Sequence, residues 1–238
     1  MPQVPRSHGG WLPGSFLEQI GPSAADELLS LARPRLVASG EHLTRQGDRG
    51  AEVYLLQARK AGTAACVKVT SVAHNGAEAM LAIRTVGDLV GEGAALQGRS
   101  RVATVTACTE AVAHVVDNQR FLRYLDHNPG AWRALSTMLV DRLAWSNRRR
   151  LDFSGYDVKG RLIRVMLELA ERHGKPVDQG VDLGVTISQA ELGNLVGAKL
   201  DAVNQAMRVL RTEGLISYQY RCVRINNLAA MRRETGEN

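Results

Sequence analysis

Apolar positions fall into distinct textures along the chain. From about Leu12 to Leu36, Phe16, Ile20, Leu28, Leu29 and Leu31 recur at intervals that suit helices, and Pro22-Ser23 supplies a start signal for a second short one. From Val37 to Val116 the apolar runs become short or alternating, broken at Gly40-Glu41, Gly47-Asp48, Asn75-Gly76 and Gly87-Asp88. Val53-Tyr54-Leu55-Leu56, Cys66-Val67-Lys68-Val69 and Ala103-Thr104-Val105-Thr106 have strand composition. Many short strands with regular turns predict a barrel or jelly roll.

After Asn128-Pro129 the helical period returns and persists to about Phe153. Trp132, Leu135, Leu139, Leu143, Ser146, Arg150 and Phe153 stand three and four residues apart and so share one face. That stripe admits two readings, a coiled-coil seam or a helix packed on its own barrel. Ser154-Gly155 breaks the pattern, and a domain boundary is expected there.

Val158 to Arg172 reads as an amphipathic helix, with Leu162, Ile163, Val165, Met166 and Leu169 apolar and Lys159, Arg161, Arg164 and Glu168 polar. His173-Gly174-Lys175-Pro176 ends it, and Val181 to Ile187 is a short strand candidate. Ser188-Gln189-Ala190-Glu191 has the spacing of a capping box, which opens a helix running to Val196. Gly197 permits a sharp turn before a second helix that reaches about Arg211 and stops at Gly214. Ala190, Leu192, Leu195, Val203, Met207 and Leu210 supply the apolar faces.

Two helices joined in this way form a helix-turn-helix, whose second helix enters the major groove in DNA-binding proteins. Its outward side chains here are Lys199, Leu200, Asp201, Asn204, Gln205 and Arg208. Asn204 and Gln205 can donate and accept at an adenine edge, Asp201 can accept from cytosine, and Lys199 and Arg208 can reach phosphate or guanine. The bland reading of the same face is a solvated helical hairpin. Leu215–Tyr218 and Cys222–Ile225, around Gln219-Tyr220-Arg221, have the composition of a hairpin wing, although its turn lacks glycine.

Composition adds little that contradicts this picture. With 238 residues, 45% of them hydrophobic, two domains are expected, and the net charge of +6 suits a polyanionic partner. Cys66, Cys108 and Cys222 lie too far apart for the usual zinc or iron–sulfur spacings, so reduced, partly buried thiols are expected. The start, MPQVPRSHGG, lacks a long apolar stretch behind a basic region, and no run approaches the length needed to cross a bilayer, which predicts a cytoplasmic protein without a membrane partner. No nucleophile–base spacing, metal cluster or phosphate loop stands out, so neither an enzyme nor a metal site is expected.

Several motifs resemble the regulators named for the cyclic-AMP receptor protein and the fumarate and nitrate reductase regulator, the CRP/FNR family. They are Gly87-Asp88 and Gly91-Glu92 followed by Arg101–Val105, then Asp157–Arg161 at the hinge, then Ile187–Leu210 and Glu213–Ile216. The resemblance covers nearly the whole chain. It implies an α+β architecture: an effector-sensing, cyclic-nucleotide-binding-type β jelly roll (12–127), a dimerisation helix and hinge (128–154) and a winged helix-turn-helix (155–238). A homodimer on a two-fold related site in double-stranded DNA, in contact with RNA polymerase, is implied as well.

The resemblance also implies an effector pocket formed by Gly91, Glu92, Arg101, Val102, Ser146 and Asn147. Glu92 matches the glutamate that accepts from a ribose hydroxyl, Arg101 the arginine that pairs with a cyclic phosphate, and Ser146 and Asn147 the positions that hold adenine. The expected effector is cyclic AMP or another cyclic nucleotide. Val102 departs from the pattern, because a hydroxyl residue often follows the arginine, and Gln57–Ala65 exceeds the usual turn. Glu92 and Arg101 therefore admit a second reading as an internal salt bridge in an altered pocket, and the protein a second reading as a ligand-independent regulator whose barrel is a dimerisation scaffold.

In the DNA-binding unit, Lys159, Ser188 and Gln189 complete the expected contacts with Lys199, Leu200, Asp201, Asn204, Gln205 and Arg208. Leu200 stands where members that read guanine-rich half-sites commonly carry arginine, so a different target is expected. Arg148-Arg149-Arg150 either tunes DNA affinity or forms a solvated helix end opposite the helix dipole. His74, His114 and His127 are each expected at the surface or satisfied in the core.

Overall fold

The computed structural model describes residues 11–60 and 65–236. The amino-terminal ten residues, read for a leader, and the centre of the long Gln57–Ala65 turn lie outside the described residues. The chain forms two compact units, meeting in sequence between Leu143 and Ala144 inside the longest helix.

The first unit opens with helices α1 (Phe16–Ile20) and α2 (Pro22–Ser30). There follow strands β1 (Arg33–Val37), β2 (His42–Thr44), β3 (Val53–Ala58), β4 (Cys66–Val72), β5 (Glu78–Thr85) and β6 (Leu89–Val90), and then helix α3 (Glu92–Gln97). Strands β7 (Thr104–Ala107) and β8 (Ala111–Val116), then helices α4 (Asn118–His127) and α5 (Pro129–Gly155), complete the series. The strands form two antiparallel four-stranded sheets, in the orders β1-β8-β3-β6 and β2-β7-β4-β5, as a jelly roll requires.

Strand β3 explains its own continuous apolar composition, because both of its faces are covered. Tyr54 and Leu56 join Val37, Val67, Val90 and Val105 in one cluster, while Val53 and Leu55 join Phe16, Leu28, Phe121, Leu125 and Leu135 in the other. Successive side chains of a strand point to opposite faces, so a strand covered on both sides needs no polar alternation.

Helix α4 was not anticipated from the sequence. Asp117 caps it by accepting from the amides of Gln119 and Arg120, and Phe121 and Leu125, one turn apart, are buried. Its exposed face carries Arg120, Arg123 and Asp126, and such charge in a ten-residue segment conceals the apolar stripe.

The expected stripe on α5 is corrected. Leu135 is fully buried and Leu139 packs against the same core, so both belong to the barrel's own interior. On the part of α5 that belongs to the first unit, the large apolar side chains left exposed are Trp132, Val140 and Leu143, the last two 64% and 62% exposed. An α-helix turns about 100° per residue, so a stripe drawn by counting threes and fours can drift from one face to the next.

The barrel encloses a histidine. His114 on β8 is buried, its Nε2 lies 2.6 Å from Gln57 Oε1, and its Nδ1 has no hydrogen-bond partner. Burial pushes the imidazole below its ordinary value. The unfolded chain then binds the proton more readily than the folded one, so stability is intact above the unfolded value near 6.5 and declines as pH falls through it. The unfolding free energy of the wild type, from urea titrations, should drop between pH 7.5 and 5 by at most about 1.4 kcal/mol per pH unit from this group. His114→Gln should flatten that dependence, and an unchanged slope would exclude His114 as its source.

The second unit contains the end of α5, helix α6 (Val158–His173), strands β9 (Lys175–Pro176) and β10 (Val181–Asp182), and helices α7 (Gln189–Val196) and α8 (Leu200–Thr212). Strands β11 (Ile216–Gln219) and β12 (Cys222–Ile225) and helix α9 (Leu228–Glu234) follow. Its sheet has the order β11-β12-β10-β9. The strand expected from Val181 to Ile187 is therefore only two residues long, and a strand appears at Lys175-Pro176, which composition marked only as a helix end. Gly184, with φ +68°, interrupts the regular ladder after Asp182, although the Leu183 and Ile187 amides still donate to the carbonyls of Val223 (3.0 Å) and Arg221 (2.9 Å).

Arg148–Arg150 is not a solvated helix end. Arg149 is buried between Asp152 (2.8 Å) and Glu168 (3.3 Å), its guanidinium lies 5.4 Å from the Trp145 ring centre, and Arg148 pairs with Glu168 at 3.1 Å. Arg164 reaches the other oxygen of Asp152 at 2.7 Å. Only Arg150 of the three arginines remains exposed without a described ion pair.

Candidate functional site

In the first unit Gly91, Glu92, Arg101 and Val102 occupy one neighbourhood, but not as a single ion pair. Arg101 is buried, with Nη1 donating to the Gly91 carbonyl at 3.0 Å and Nη2 donating to the Glu52 carbonyl at 2.8 Å. Nη2 also meets the Glu52 carboxylate at 3.2 Å, and the guanidinium stands 5.7 Å from the Tyr54 ring centre. Burial, and then the Glu52 charge, push the Tyr54 phenol above its ordinary value.

Glu92 pairs instead with Arg142 of α5, at 2.6 Å, and the same guanidinium donates to the Leu89 carbonyl at 2.7 Å. The reading of Glu92 and Arg101 as partners of one another is thus corrected: each has its own opposite charge. Val102 projects outward, 65% exposed. Ser146 and Asn147 lie in the second unit and are exposed on α5.

Glycine is required where the backbone approaches Arg101. Gly91 has φ +88°, and a Cβ there would stand 2.8 Å from both Arg101 Nη1 and the Glu52 carbonyl oxygen. Glu52 and Arg142 are the members of this cluster that sequence reasoning missed. The available signals were slight: Glu52 is a charge directly before the apolar run of β3, and Arg142 interrupts the apolar series from Met138 to Leu143.

The DNA-binding candidates gather on α8 and its approaches. Val203, Ala206, Met207 and Leu210 are buried, which leaves Lys199, Leu200, Asp201, Gln205 and Arg208 exposed on the opposite face. Asn204 is half-buried and its Oδ1 makes no hydrogen bond. Gly197 ends α7 in the left-handed conformation (φ +61°), as the turn between two helices demands.

Other expected contacts are already engaged within the chain. Ser188 accepts from the Glu191 amide at 3.2 Å, while its own amide donates to Glu191 Oε2 at 2.8 Å, the reciprocal pattern of a capping box. Arg221 of the wing turn donates to the same carboxylate oxygen at 2.7 Å. Lys159 binds Glu213 at 2.8 Å and Glu234 at 3.1 Å, contacts that push its ammonium group above its ordinary value. Gln189 is half-buried, and Ala190, expected on the apolar face, is exposed.

The glycine-free wing turn has a definite form. Tyr220 and Arg221 both take positive φ, 32° and 61°, which matches the twist of a two-residue hairpin loop. Tyr220 is 88% exposed at its tip. Cys222 follows it and is also exposed, whereas Cys66 is buried and Cys108 half-buried, with no disulfide among the described residues.

Comparison with known proteins matches the same two regions. Residues 34–128 match the cyclic nucleotide-binding domain and residues 160–234 the Crp-like helix-turn-helix domain. The chain belongs to the CRP/FNR family of transcription regulators. A CRP-like cAMP-activated global transcriptional regulator of Mycobacterium tuberculosis is 28% identical over 214 residues, 89% of this chain and 92% of that one. The cAMP-activated global transcriptional regulator CRP of Salmonella typhimurium is 26% identical over 74% of this chain and 80% of its own length.

Among solved structures, a CRP-family transcriptional regulator from Thermus thermophilus is 27% identical, with a TM-score of 0.67 over 85% of this chain and 96% of that one. The c-di-GMP responsive global regulator CLP of Xanthomonas campestris shares the fold at 18% identity, with a TM-score of 0.71 over 86% of this chain and 99% of its own. This CRP/FNR-type regulator thus combines a cyclic-nucleotide-binding domain with a DNA-binding helix-turn-helix. No helix among the described residues is long and apolar enough to cross a membrane.

Proposed function

We propose that this CRP/FNR regulator acts as a homodimer on two-fold related DNA, in contact with RNA polymerase, and that a cyclic nucleotide in the barrel controls it. The carrying observation is the buried Arg101 guanidinium, held by two backbone carbonyls behind glycine positions. A guanidinium presents a rigid fork of donors that suits phosphate oxygens. Glu92, beside it at the start of α3, supplies a carboxylate for a ribose hydroxyl. For Ser146 and Asn147, assignment to the base rests on the resemblance alone.

Effector binding alters DNA affinity only insofar as the ligand prefers one conformation of the dimer, because equal affinity for two states shifts neither. Calorimetric titration with cyclic AMP and cyclic GMP, with Arg101→Ala as the control, tests the sensor reading. Saturable binding that disappears in the control is the expected result. Absence of binding in both chains would return the barrel to the role of a ligand-independent scaffold.

The uncovered apolar side chains of α5 support dimerisation, because the exposed Val140 and Leu143 stand three residues apart and so share one face of the helix as an apolar patch. Leu143→Glu, alone or with Val140→Glu, should convert the protein to a monomer in sedimentation or light-scattering measurements. A dimer of unchanged dissociation constant would move the interface elsewhere.

DNA reading is assigned to the exposed face of α8. Gln205→Ala or Asn204→Ala should relax preference at one base-pair position by roughly 1–3 kcal/mol, whereas Lys199, Arg208 and Lys159 contribute through phosphate or guanine. Lys159→Ala should weaken all sequences alike and reduce the salt slope by about one, since Lys159 exchanges Glu213 and Glu234 for phosphate. Uniform losses from every substitution, measured by binding titration over a set of sequences, would remove the reading role from this face. Leu200 offers apolar contact to a thymine methyl, and Asp201 accepts from cytosine.

A further inference from the structure

We propose that the Glu52 carboxylate is a resident competitor for the effector's anionic group, so that a cyclic nucleotide enters the barrel only by exchanging this internal carboxylate for its own phosphate. The inference rests on the reading of the barrel as a nucleotide pocket and adds the residue that sets its threshold and ligand selectivity.

Three acceptors hold the Arg101 guanidinium. Two are backbone carbonyls, of Gly91 and of Glu52 itself, and cannot leave without moving the chain. The third is the Glu52 carboxylate, at 3.2 Å, on a side chain that is 46% exposed while that of Arg101 is 5% exposed. The buried cation is thus oriented by the fixed acceptors, and the one charged partner is also the one free to rotate away. Gly50 lies over this pair: a Cβ there would stand 3.2 Å from Glu52 Oε2 and 3.5 Å from Arg101 Nη2. Its missing side chain leaves both the carboxylate and the guanidinium approachable from that side.

Charge balance makes the exchange obligatory. Arg101 and Glu52 together are neutral, and the neighbouring Glu92 is neutralised by Arg142, leaving no excess positive charge in this cluster for a cyclic phosphate. A phosphate added beside a retained Glu52 would place two anions on one guanidinium, and like charges at such distances repel strongly in a partly buried site. With Glu52 swung out, the fork is restored to one anion. Val102 has no hydroxyl with which to tip this competition toward the ligand, so the outcome depends on Glu52.

The pocket should therefore discriminate against ligands whose phosphate alone supplies the binding energy, and ligands without an anionic group should be indifferent to Glu52. Calorimetric titration of the full chain with cyclic AMP, cyclic GMP and adenosine tests this, in the wild type and in Glu52→Gln, Glu52→Ala and Arg101→Ala. Thermal unfolding of each checks that it is folded.

The expected result is at least a tenfold lower Kd for a cyclic nucleotide in both Glu52 variants, unchanged behaviour toward adenosine, and no cyclic-nucleotide binding in Arg101→Ala. Glutamine keeps the size of the side chain and removes its charge, so agreement between the two variants assigns the effect to charge. Equal affinity in wild type and variants would overturn the competition while leaving the nucleotide pocket intact. Weaker binding in the variants would overturn it too, making Glu52 a positioning residue for Arg101. An equal gain for adenosine would mean a merely enlarged pocket and would equally overturn it. No binding by any of the folded chains would overturn the nucleotide reading, and this inference with it.

Discussion

Replacing Asp152 by asparagine is expected to destabilise the carboxy-terminal unit by about 3–5 kcal/mol, the usual consequence of removing one member of a buried ion cluster. Asp152 is 2% exposed and lies between Arg164 (2.7 Å) and Arg149 (2.8 Å), joining the end of α5 to α6. Burial already pushes the Arg149 guanidinium below its ordinary value against the opposing pull of Asp152 and Glu168. Without the Asp152 charge, Glu168 alone must balance Arg148, Arg149 and Arg172, which all approach it within 3.5 Å.

Urea unfolding of the full chain, followed by fluorescence of Trp145 against Arg149, gives the measurement. Arg149→Met in the Asp152→Asn background should recover part of the loss, because it removes the second stranded charge and places an apolar chain against Trp145. A midpoint unmoved by Asp152→Asn would mean that the cluster is solvated rather than buried. Because the three α5 members of this knot are fastened to the helix that leads into the DNA-binding elements, the same substitution should weaken binding to all DNA sequences together.

Gly184→Ala is expected to cost roughly 3 kcal/mol or more, combining a left-handed backbone with a collision that no side-chain rotation relieves. Gly184 has φ +68°, and a Cβ on it would lie 1.8 Å from the carbonyl oxygen of His173, at the end of α6. Gly214 supplies the control, since it also has a positive φ, 72°, but meets nothing within 4 Å. Gly214→Ala should therefore lose only the conformational term, about 1 kcal/mol. Equal losses at the two positions would show that α6 yields to the added methyl group. The Asp182 carboxylate, which accepts from the Gly184 amide at 2.8 Å, holds this turn in its tight form.

These two positions illustrate different degrees of legibility. The sequence places Gly184 inside a strand expected from Val181 to Ile187 and gives no local mark of its close approach, because the oxygen it avoids belongs to a residue eleven positions earlier whose placement depends on the packing of α6. Arg149 and Asp152 read as part of an ordinary polar helix end. Their burial follows from the position of Glu168 and Arg164, and those two charges read equally well as the solvated face of an amphipathic helix. Leu135 and Leu139 fell on the expected stripe, yet the barrel covers them, because two neighbouring faces of α5 are apolar and counting does not choose between them.

The helix-turn-helix was legible almost residue by residue. Ser188 and Glu191 form their capping box, Gly197 turns in the left-handed region, and Val203, Met207 and Leu210 point inward. Each of these features depends on groups within a turn or two of one another, so local chemistry is sufficient. The jelly roll was legible in type, from short runs and glycine turns, and the motifs Gly91-Glu92 and Arg101 marked residues that the fold brings into one neighbourhood.

What the sequence by itself determined, then, was the succession of helical lead-in, jelly roll, long helix and helix-turn-helix, the outward side chains of α8, and the positions at which an effector pocket would be sought. The tertiary structure alone decided which charges meet. Arg101 finds Glu52 from 49 positions away and Glu92 finds Arg142 from 50, and neither partner carries a local mark of its role. Hydrogen-bonded caps and turns are short-range and repeat in sequence, whereas an ion pair across a barrel depends on strand register and helix rotation, which only the packed core sets.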